Sequence, residues 1–460
     1  MVKQQIEKEN KGTASSKKYI IAALGCIFLS ALICLGQITA NMILIAAFFA
    51  GLLAICIWAC MKDIILTILL YFLPWSPLMK FYKGGISFFT VMLLVVCLAA
   101  LIKNKMSLNM YQIVLTAMIA ILTAIAKMVQ ENDIANSYIF FLAMLFLLPC
   151  ITKRIDSDSF NETTIFFALG IITAALSAQQ LVVYHNIAQY ITVDSYLTIT
   201  RLSGYYGDPN FYSAHITACL AGILMLLSRE KDRVRQAVLI IAAVLLVYCG
   251  MLSASKMFVV VLACLFFFWI PVLMEKSGRG NGRLRMFVGI LCAGGIFLSS
   301  SAFKELFRII DDRFAYAANV SQITTGRTDI WKNYLNYFIE NIDVTILGEG
   351  YTPINLNGRA SHNTVIQAVF QFGLIGIPLL AAWMYFFLKD IFQSAEKSKT
   401  DWRYAMLLCV GVVLPWMSLD ILFFDEFFLM SLYTAVGIMC MSKSVPTIEA
   451  CCSSREIKIN

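Results

Sequence analysis

The sequence predicts an all-α, polytopic integral membrane protein of 12 to 14 transmembrane helices, with a long outward loop before the twelfth. Three observations carry this. Hydrophobic residues fill 60% of the 460 positions and charged residues only 14%, with a mean hydropathy of +0.77, which leaves too little polar surface for a water-soluble domain. Apolar stretches of about 16 to 25 residues recur along the chain, each able to cross a hydrocarbon core about 30 Å thick at about 1.5 Å per residue. The basic residues are unevenly shared: with the Lys-rich start inside, 25 of the 36 Lys and Arg fall on inner segments. That bias places both ends in the cytoplasm and requires an even helix count.

Taken in order, the predicted spans are 19–35, 41–60, 63–75, 86–102, 111–129, 137–151, 163–184, 211–228, 237–252, 257–275, 286–303, 363–388, 404–421 and 424–441. The first lacks a small-residue cleavage site and runs straight into the second, so it is predicted as an uncleaved helix and not a secretory signal. A cytoplasmic tail over residues 1–18, a transmembrane domain over 19–441 and a second cytoplasmic tail over 442–460 make up the chain. Two outward loops, 185–210 and 304–361, exceed the length of tight turns, and the second is rich in Tyr, Phe and Trp, which suits an ordered subdomain.

None of the 14 Cys lies in either long loop, no CxxC occurs, and there are only three His. Neither a disulfide framework nor a metal centre is expected, and no cofactor is called for. The net charge of +8 reads as membrane topology and not as a nucleic-acid surface.

The polar residues able to do chemistry cluster beside these loops. Arg201-Leu-Ser-Gly-Tyr-Tyr-Gly-Asp-Pro-Asn leads into an apolar helix. Asp208 suits an N-cap and Pro209 the first helical position, while Gly204 and Gly207 suit turns. For Arg201, snorkelling to lipid phosphate and specific anion binding stand as equal alternatives. In the second loop, Ile330, Trp331, Tyr334, Leu335 and Phe338 recur at helical spacing. They predict a short amphipathic helix beginning near Thr328, with Asp329 in its first turn. Gly326-Arg327 then stands at its start, where free N–H groups favour anions; an ion pair of Arg327 with Asp329 is the structural alternative.

The loop closes with Arg359-Ala-Ser-His-Asn-Thr before another apolar helix, which Ser361 can cap. His362 at that helix start is a candidate general base, and Asn363 follows it. Lys256, at the end of Ser253-Ala-Ser-Lys, needs an anionic partner between apolar helices. Asp420, Asp425 and Glu426 fall on the last outward turn, as that partner or as an exposed hairpin tip.

Read together, Arg201 with Gly-x-x-Gly-Asp208-Pro-Asn210, Gly326-Arg327 with Ile330-Trp331, Gly348-x-Gly350, and Ser361-His362-Asn363 followed by Gly373-x-x-Gly376 resemble the O-antigen ligase and O-antigen polymerase family of bacterial surface-polysaccharide enzymes. The resemblance covers residues from about 200 to about 390. It implies a fold similar to the C-type polytopic glycosyltransferases and a metal-independent, inverting transfer from a polyprenyl-diphosphate-linked oligosaccharide. By position, Arg201 and Arg327 would hold the diphosphate and His362 would activate the acceptor, a glycan or lipid-linked hydroxyl. Asp208, Asn210, Gly326, Asn363 and Lys256 would support them. Lys256 stands where many relatives carry Arg, and a Lys supplies no planar fork. The resemblance further implies the bacterial cytoplasmic (inner) membrane with the active face outward, contact with membrane lipids, and a flippase and chain-length regulator as partners, with no nucleic acid. Polymerisation of repeat units comes first, ligation of a finished glycan second. A transporter or flippase is the reading from another class, and it predicts midplane ionisable residues and broken helices.

Overall fold

The computed structural model describes residues 2–80, 87–106, 108–135, 137–156, 159–188, 201–275, 304, 308, 326–352, 355–393, 402–422 and 425–442. Its helices are α1 (Val2–Ile38), α2 (Met42–Met61), α3 (Ile65–Phe72), α4 (Phe88–Lys103), α5 (Met110–Gln130), α6 (Tyr138–Leu147), α7 (Pro149–Thr152), α8 (Phe160–Leu181), α9 (His185–Ala188), α10 (Pro209–Leu227), α11 (Arg233–Leu252) and α12 (Lys256–Glu275). After them come α13 (Arg327–Glu340), α14 (Ile342–Leu347), α15 (Thr364–Gln393), α16 (Trp402–Trp416) and α17 (Asp425–Ser442). No strand occurs among the described residues. Among the described residues, seven helices are long and apolar enough to cross a membrane, and the architecture is that of an all-α, multi-pass membrane protein.

The helix starts follow from side chains that satisfy free backbone N–H groups. Asn41, Asn109, Asp208 and Asp232 each accept from the first turn of α2, α5, α10 and α11. Pro209 follows Asp208 at the first helical position, as expected, and Gly204 and Gly207 take φ of 55° and 67°.

The third predicted span, 63–75, differs from one continuous α-helix. It is an α-helix only as far as Phe72, after which Leu73–Met79 winds as a 3₁₀ helix that begins beside Pro74 and contains Pro77. Each proline lacks the N–H that an α-helix would use there. Every residue from Ile65 to Met79 is buried, so this segment packs within the protein instead of facing lipid. The eleventh, 286–303, lies outside the described residues, as do 189–200 and 309–325 of the two loops. The described part of the second loop is folded: α13 begins at Arg327, one residue from the expected start, and buries Tyr334 and Phe338 against Phe370 of α15. Leu335, on the same predicted stripe, is instead 55% exposed.

Helix α10 is the centre of the bundle, packed against α8, α11, α12 and α16. Close approach depends on small residues, since lipid tails give apolar side chains no reason to leave them. A Cβ on Gly170 of α8 would lie 2.2 Å from the Tyr71 carbonyl oxygen, and one on Gly411 of α16 would lie 2.7 Å from that of Thr217. Hydrogen bonds tie the same seams: Thr67 to Thr163 at 2.8 Å, Thr217 Oγ1 to the Gly411 carbonyl at 2.9 Å, and Trp269 Nε1 to the Leu224 carbonyl at 2.8 Å.

Helix α15 is interrupted at Gly373, which takes φ 62° and ψ −178°. There its chain lies against α14: Glu349 N donates to the Phe370 carbonyl at 2.7 Å, and a Cβ on Gly373 would come within 2.3 Å of the Ile346 carbonyl oxygen. Such a conformation costs a residue with a side chain about 1–3 kcal/mol before any clash is counted. Gly373→Ala is therefore expected to lower the stability of the detergent-solubilised protein by at least about 2 kcal/mol, read as a lowered midpoint of thermal unfolding, whereas Gly358→Ala, at an equally left-handed but open position, is expected to cost less.

Candidate functional site

The loop before α10, the start of α15 and the turn between α16 and α17 meet around a cavity of about 650 Å³, within the range of small-molecule sites. Tyr206, Asp208, Ser361, Asp420, Asp425 and Glu426 are among the residues that line it, with Lys80 from the end of the 3₁₀ segment.

One carboxylate organises this region. Asp420 Oδ1 accepts from the Ser361 hydroxyl and from Asn363 N at 3.1 Å, and its Oδ2 accepts from His362 N at 2.9 Å. His362 takes a left-handed φ of 49° to present that N–H. Asn363, not Ser361, caps α15, its Oδ1 accepting from Val365 N at 3.0 Å and Ile366 N at 3.2 Å. The expected Ser361 cap is thus corrected: Asp420, a charged acceptor, takes its hydroxyl instead. The exposed hairpin tip is corrected too. Glu426 is 3% exposed, Asp425 Oδ2 accepts from Thr90 Oγ1 at 2.7 Å, and the turn folds inward because these carboxylates find donors there.

The predicted site residues fall into two groups and a link. Arg201 Nε donates to the Ser253 carbonyl at 2.9 Å, just past the C-terminus of α11, where free carbonyls attract a cation. Ser255 Oγ donates to Asn210 Oδ1 at 2.9 Å, and Lys256 opens α12 in the next position. Arg201, Asn210 and Lys256 therefore share one turn. In the second group, Gly326 takes φ 79° immediately before Arg327, the first residue of α13. One turn on, Trp331 Nε1 donates to the Ser361 carbonyl at 3.0 Å, and Tyr334 Oη donates to that of Arg359 at 2.9 Å. These bonds seat the first turns of α13 against Arg359 and Ser361, just before His362. Asp208 is the link, since it lines the cavity together with Ser361. Of the eight predicted residues it alone lines the cavity among the described residues.

Burial pushes the phenol of Tyr334, which lines the cavity on the α13 side, up to about 12. Burial, and then the adjacent Glu349 carboxylate, push that of Tyr337 higher still. Glu349 is 7% exposed and accepts from both Tyr337 Oη and Asn132 Nδ2, which clamps α13 to the segment after α5.

Sequence reasoning did not find Lys80, nor the Asn132, Tyr337 and Glu349 clamp, and no local pattern marks them. Nor does it give a role to His215, which is fully buried in α10 and contacts Tyr206 Oη at 3.2 Å; an ionisable residue inside an apolar helix is the available signal. The chain matches no protein-family model and no curated protein.

Asp420→Ala removes the acceptor for three donors at once. An expected loss of about 3 kcal/mol shows as a lowered unfolding midpoint and faster proteolysis within residues 355–363. Asp63→Ala, which removes a half-exposed ion pair to Arg154 at 3.4 Å, is the control, with an expected cost below about 1 kcal/mol.

Proposed function

We propose that the chain is a membrane glycosyltransferase that joins polyprenyl-diphosphate-linked oligosaccharide units into a surface polysaccharide. The observation that carries this reading is that Asp208, of the Arg201–Asn210 stretch, and Ser361, beside His362, line one cavity, while α13, which begins at Arg327, is bonded to the Ser361 carbonyl through Trp331. The motif resemblance links the same three stretches.

In this reading the donor sugar enters the cavity, and its diphosphate lies at the rim toward Arg201, Lys256 and Arg327. Guanidinium groups offer bidentate, charge-assisted bonds to phosphoryl oxygens, and they stabilise the charge that grows as the anomeric C–O bond breaks. The acceptor hydroxyl oxygen attacks the anomeric carbon from the opposite side, inverting it. Its proton passes to His362, and the diphosphate leaves with the bonding electron pair. Asp420 holds the backbone of His362, so the base is positioned by a bond that does not consume its ring nitrogens. Aromatic walls such as Phe211 and Tyr351 suit sugar faces. The reading places the protein in a bacterial cytoplasmic membrane with this site outward and both ends inside. A flippase would supply the donor, and a chain-length regulator would act alongside. Transfer of a finished glycan to lipid A core, another envelope acceptor or protein differs only in the acceptor.

A transporter is the second reading, favoured by the break of α15 at Gly373 and by buried Glu426 at the start of α17.

Polysaccharide laddering in a deletion strain separates these. Wild type is expected to restore long chains. His362→Ala is expected to lower transfer by about 10²- to 10⁴-fold, and Arg201→Ala and Arg327→Ala are expected to leave single lipid-linked repeats at normal membrane expression. Full-length lipid-linked glycan without an acceptor would indicate ligation. Normal chains from all three variants would remove the enzyme reading.

A further inference from the structure

The cavity wall contains a set of contacts whose hydrogen count does not close. Tyr206 Oη lies 2.8 Å from the Leu73 carbonyl oxygen, 2.6 Å from Glu426 Oε1 and 3.2 Å from His215 Nε2, and 3.4 Å from the Ser76 hydroxyl, which can donate to it. Behind it, His215 Nδ1 lies 2.8 Å from the Phe211 carbonyl oxygen. A carbonyl only accepts, so Nδ1 carries a hydrogen, and in a neutral ring Nε2 is left as an acceptor. The Leu73 carbonyl and an ionised Glu426 also only accept. Three acceptors then face one phenol, which has one hydrogen to give. Two of the three contacts would set lone pair against lone pair, in a place where Glu426 is 3% exposed and His215 fully buried. Low polarity makes each such mismatch costly.

One more proton removes one of the two mismatches. Placed on Glu426, it is donated to Tyr206 and releases the phenol hydrogen to Leu73, so that both short contacts are matched and only the 3.2 Å approach of His215 Nε2 is not. Placed on His215, it makes Nε2 the donor to Tyr206 and leaves the phenol hydrogen for Glu426, with the Leu73 carbonyl unmatched. We propose that Glu426, Tyr206 and His215 form a buried proton-holding site, which keeps one proton beyond those of an ionised carboxylate, a phenol and a neutral imidazole and presents it to the cavity's ligand.

Glu426 and Tyr206 line the cavity, and His215 stands behind them on α10. The charged groups facing the site are Asp425 beside it on α17, held by Thr90 of α4, Lys80 at the end of the 3₁₀ segment, and Asp208 and Asp420 across the cavity. Four carboxylates against one ammonium would leave a formal charge of −3, and the held proton reduces it to −2. A wall of carboxylates repels an oxygen-rich, anionic ligand, whereas a proton donor in that wall attracts its lone pairs, whether on a phosphoryl group or a sugar hydroxyl. The ligand chemistry rests on the glycosyltransferase reading; the proton count does not.

The test is spectroscopic and needs no ligand. Full-length protein in lipid nanodiscs at pH 7 is examined by infrared difference spectroscopy for the carbonyl stretch of a protonated carboxyl, and by nitrogen-15 histidine resonances for an imidazolium. Wild type is expected to show one of the two signals. In Glu426→Gln the amide donates to Tyr206 without an added proton, so the signal is lost; Asp425→Asn retains it. Tyr206→Phe, which removes the shared oxygen, is expected to abolish it as well and serves if Glu426→Gln fails to fold. Identical spectra for wild type and Glu426→Gln, or a signal lost in Asp425→Asn alone, would overturn the proposal. Laddering with His362→Ala reports on glycan transfer separately, so either idea can fail without the other.

Discussion

Both carboxylate oxygens of Asp420 accept hydrogen bonds from three consecutive residues, Ser361, His362 and Asn363. This joins the turn after α16 to the start of α15, two segments nearly sixty residues apart in sequence, and most of what surrounds the cavity depends on it. With the turn held inward, Asp425 reaches Thr90 and Glu426 reaches Tyr206. With the start of α15 held, Trp331 and Tyr334 find carbonyls at Ser361 and Arg359, which seats α13. A charged acceptor with three donors is strong enough to impose a left-handed φ on His362, a conformation that a β-carbon disfavours.

The arrangement separates two kinds of polar chemistry. Carboxylates, aromatic rings and Lys80 line the cavity, while Arg201 and Lys256 stand at the turn after α11 and Arg327 at the start of α13, outside its lining. A lipid-diphosphate glycan is divided the same way, with hydroxyl-bearing rings at one end and dense negative charge at the other. That correspondence supports the glycosyltransferase reading more than any single residue does. The proposed proton on the buried Glu426, Tyr206 and His215 set would add a donor to a wall that carries four carboxylates against one ammonium.

Much of the all-α membrane character was legible because the bilayer demands long apolar helices: thirteen of the fourteen predicted stretches overlap described helices, and seven of those helices are long and apolar enough to cross. Local chemistry was legible too: Asp208 and Pro209 open α10 as expected, and the amphipathic stripe through Tyr334 and Phe338 marks α13. What the sequence could not disclose is contact between distant segments. Ser361 looks like a helix cap until Asp420 competes for its hydroxyl. Asp425 and Glu426 look like a solvated tip until Thr90 and Tyr206 supply donors. The segment 63–75 is apolar enough to span, yet Pro74 and the burial of every residue from Ile64 onward make it an interior strut. Lys80 has no pattern around it at all, because its role arises only when the 3₁₀ segment meets α17.

The central claim is that a lipid-diphosphate glycan occupies this cavity with its sugars inward. Photo-crosslinking tests it most directly, using a polyprenyl-diphosphate disaccharide with a diazirine on the sugar, bound to the full-length protein in nanodiscs, with labelled peptides mapped by mass spectrometry. The account predicts labelling of peptides containing Tyr206–Phe211, Ser361 and Asp425–Phe428, suppressed by excess unmodified donor. Labelling confined to other surfaces, or unaffected by competitor, would contradict it.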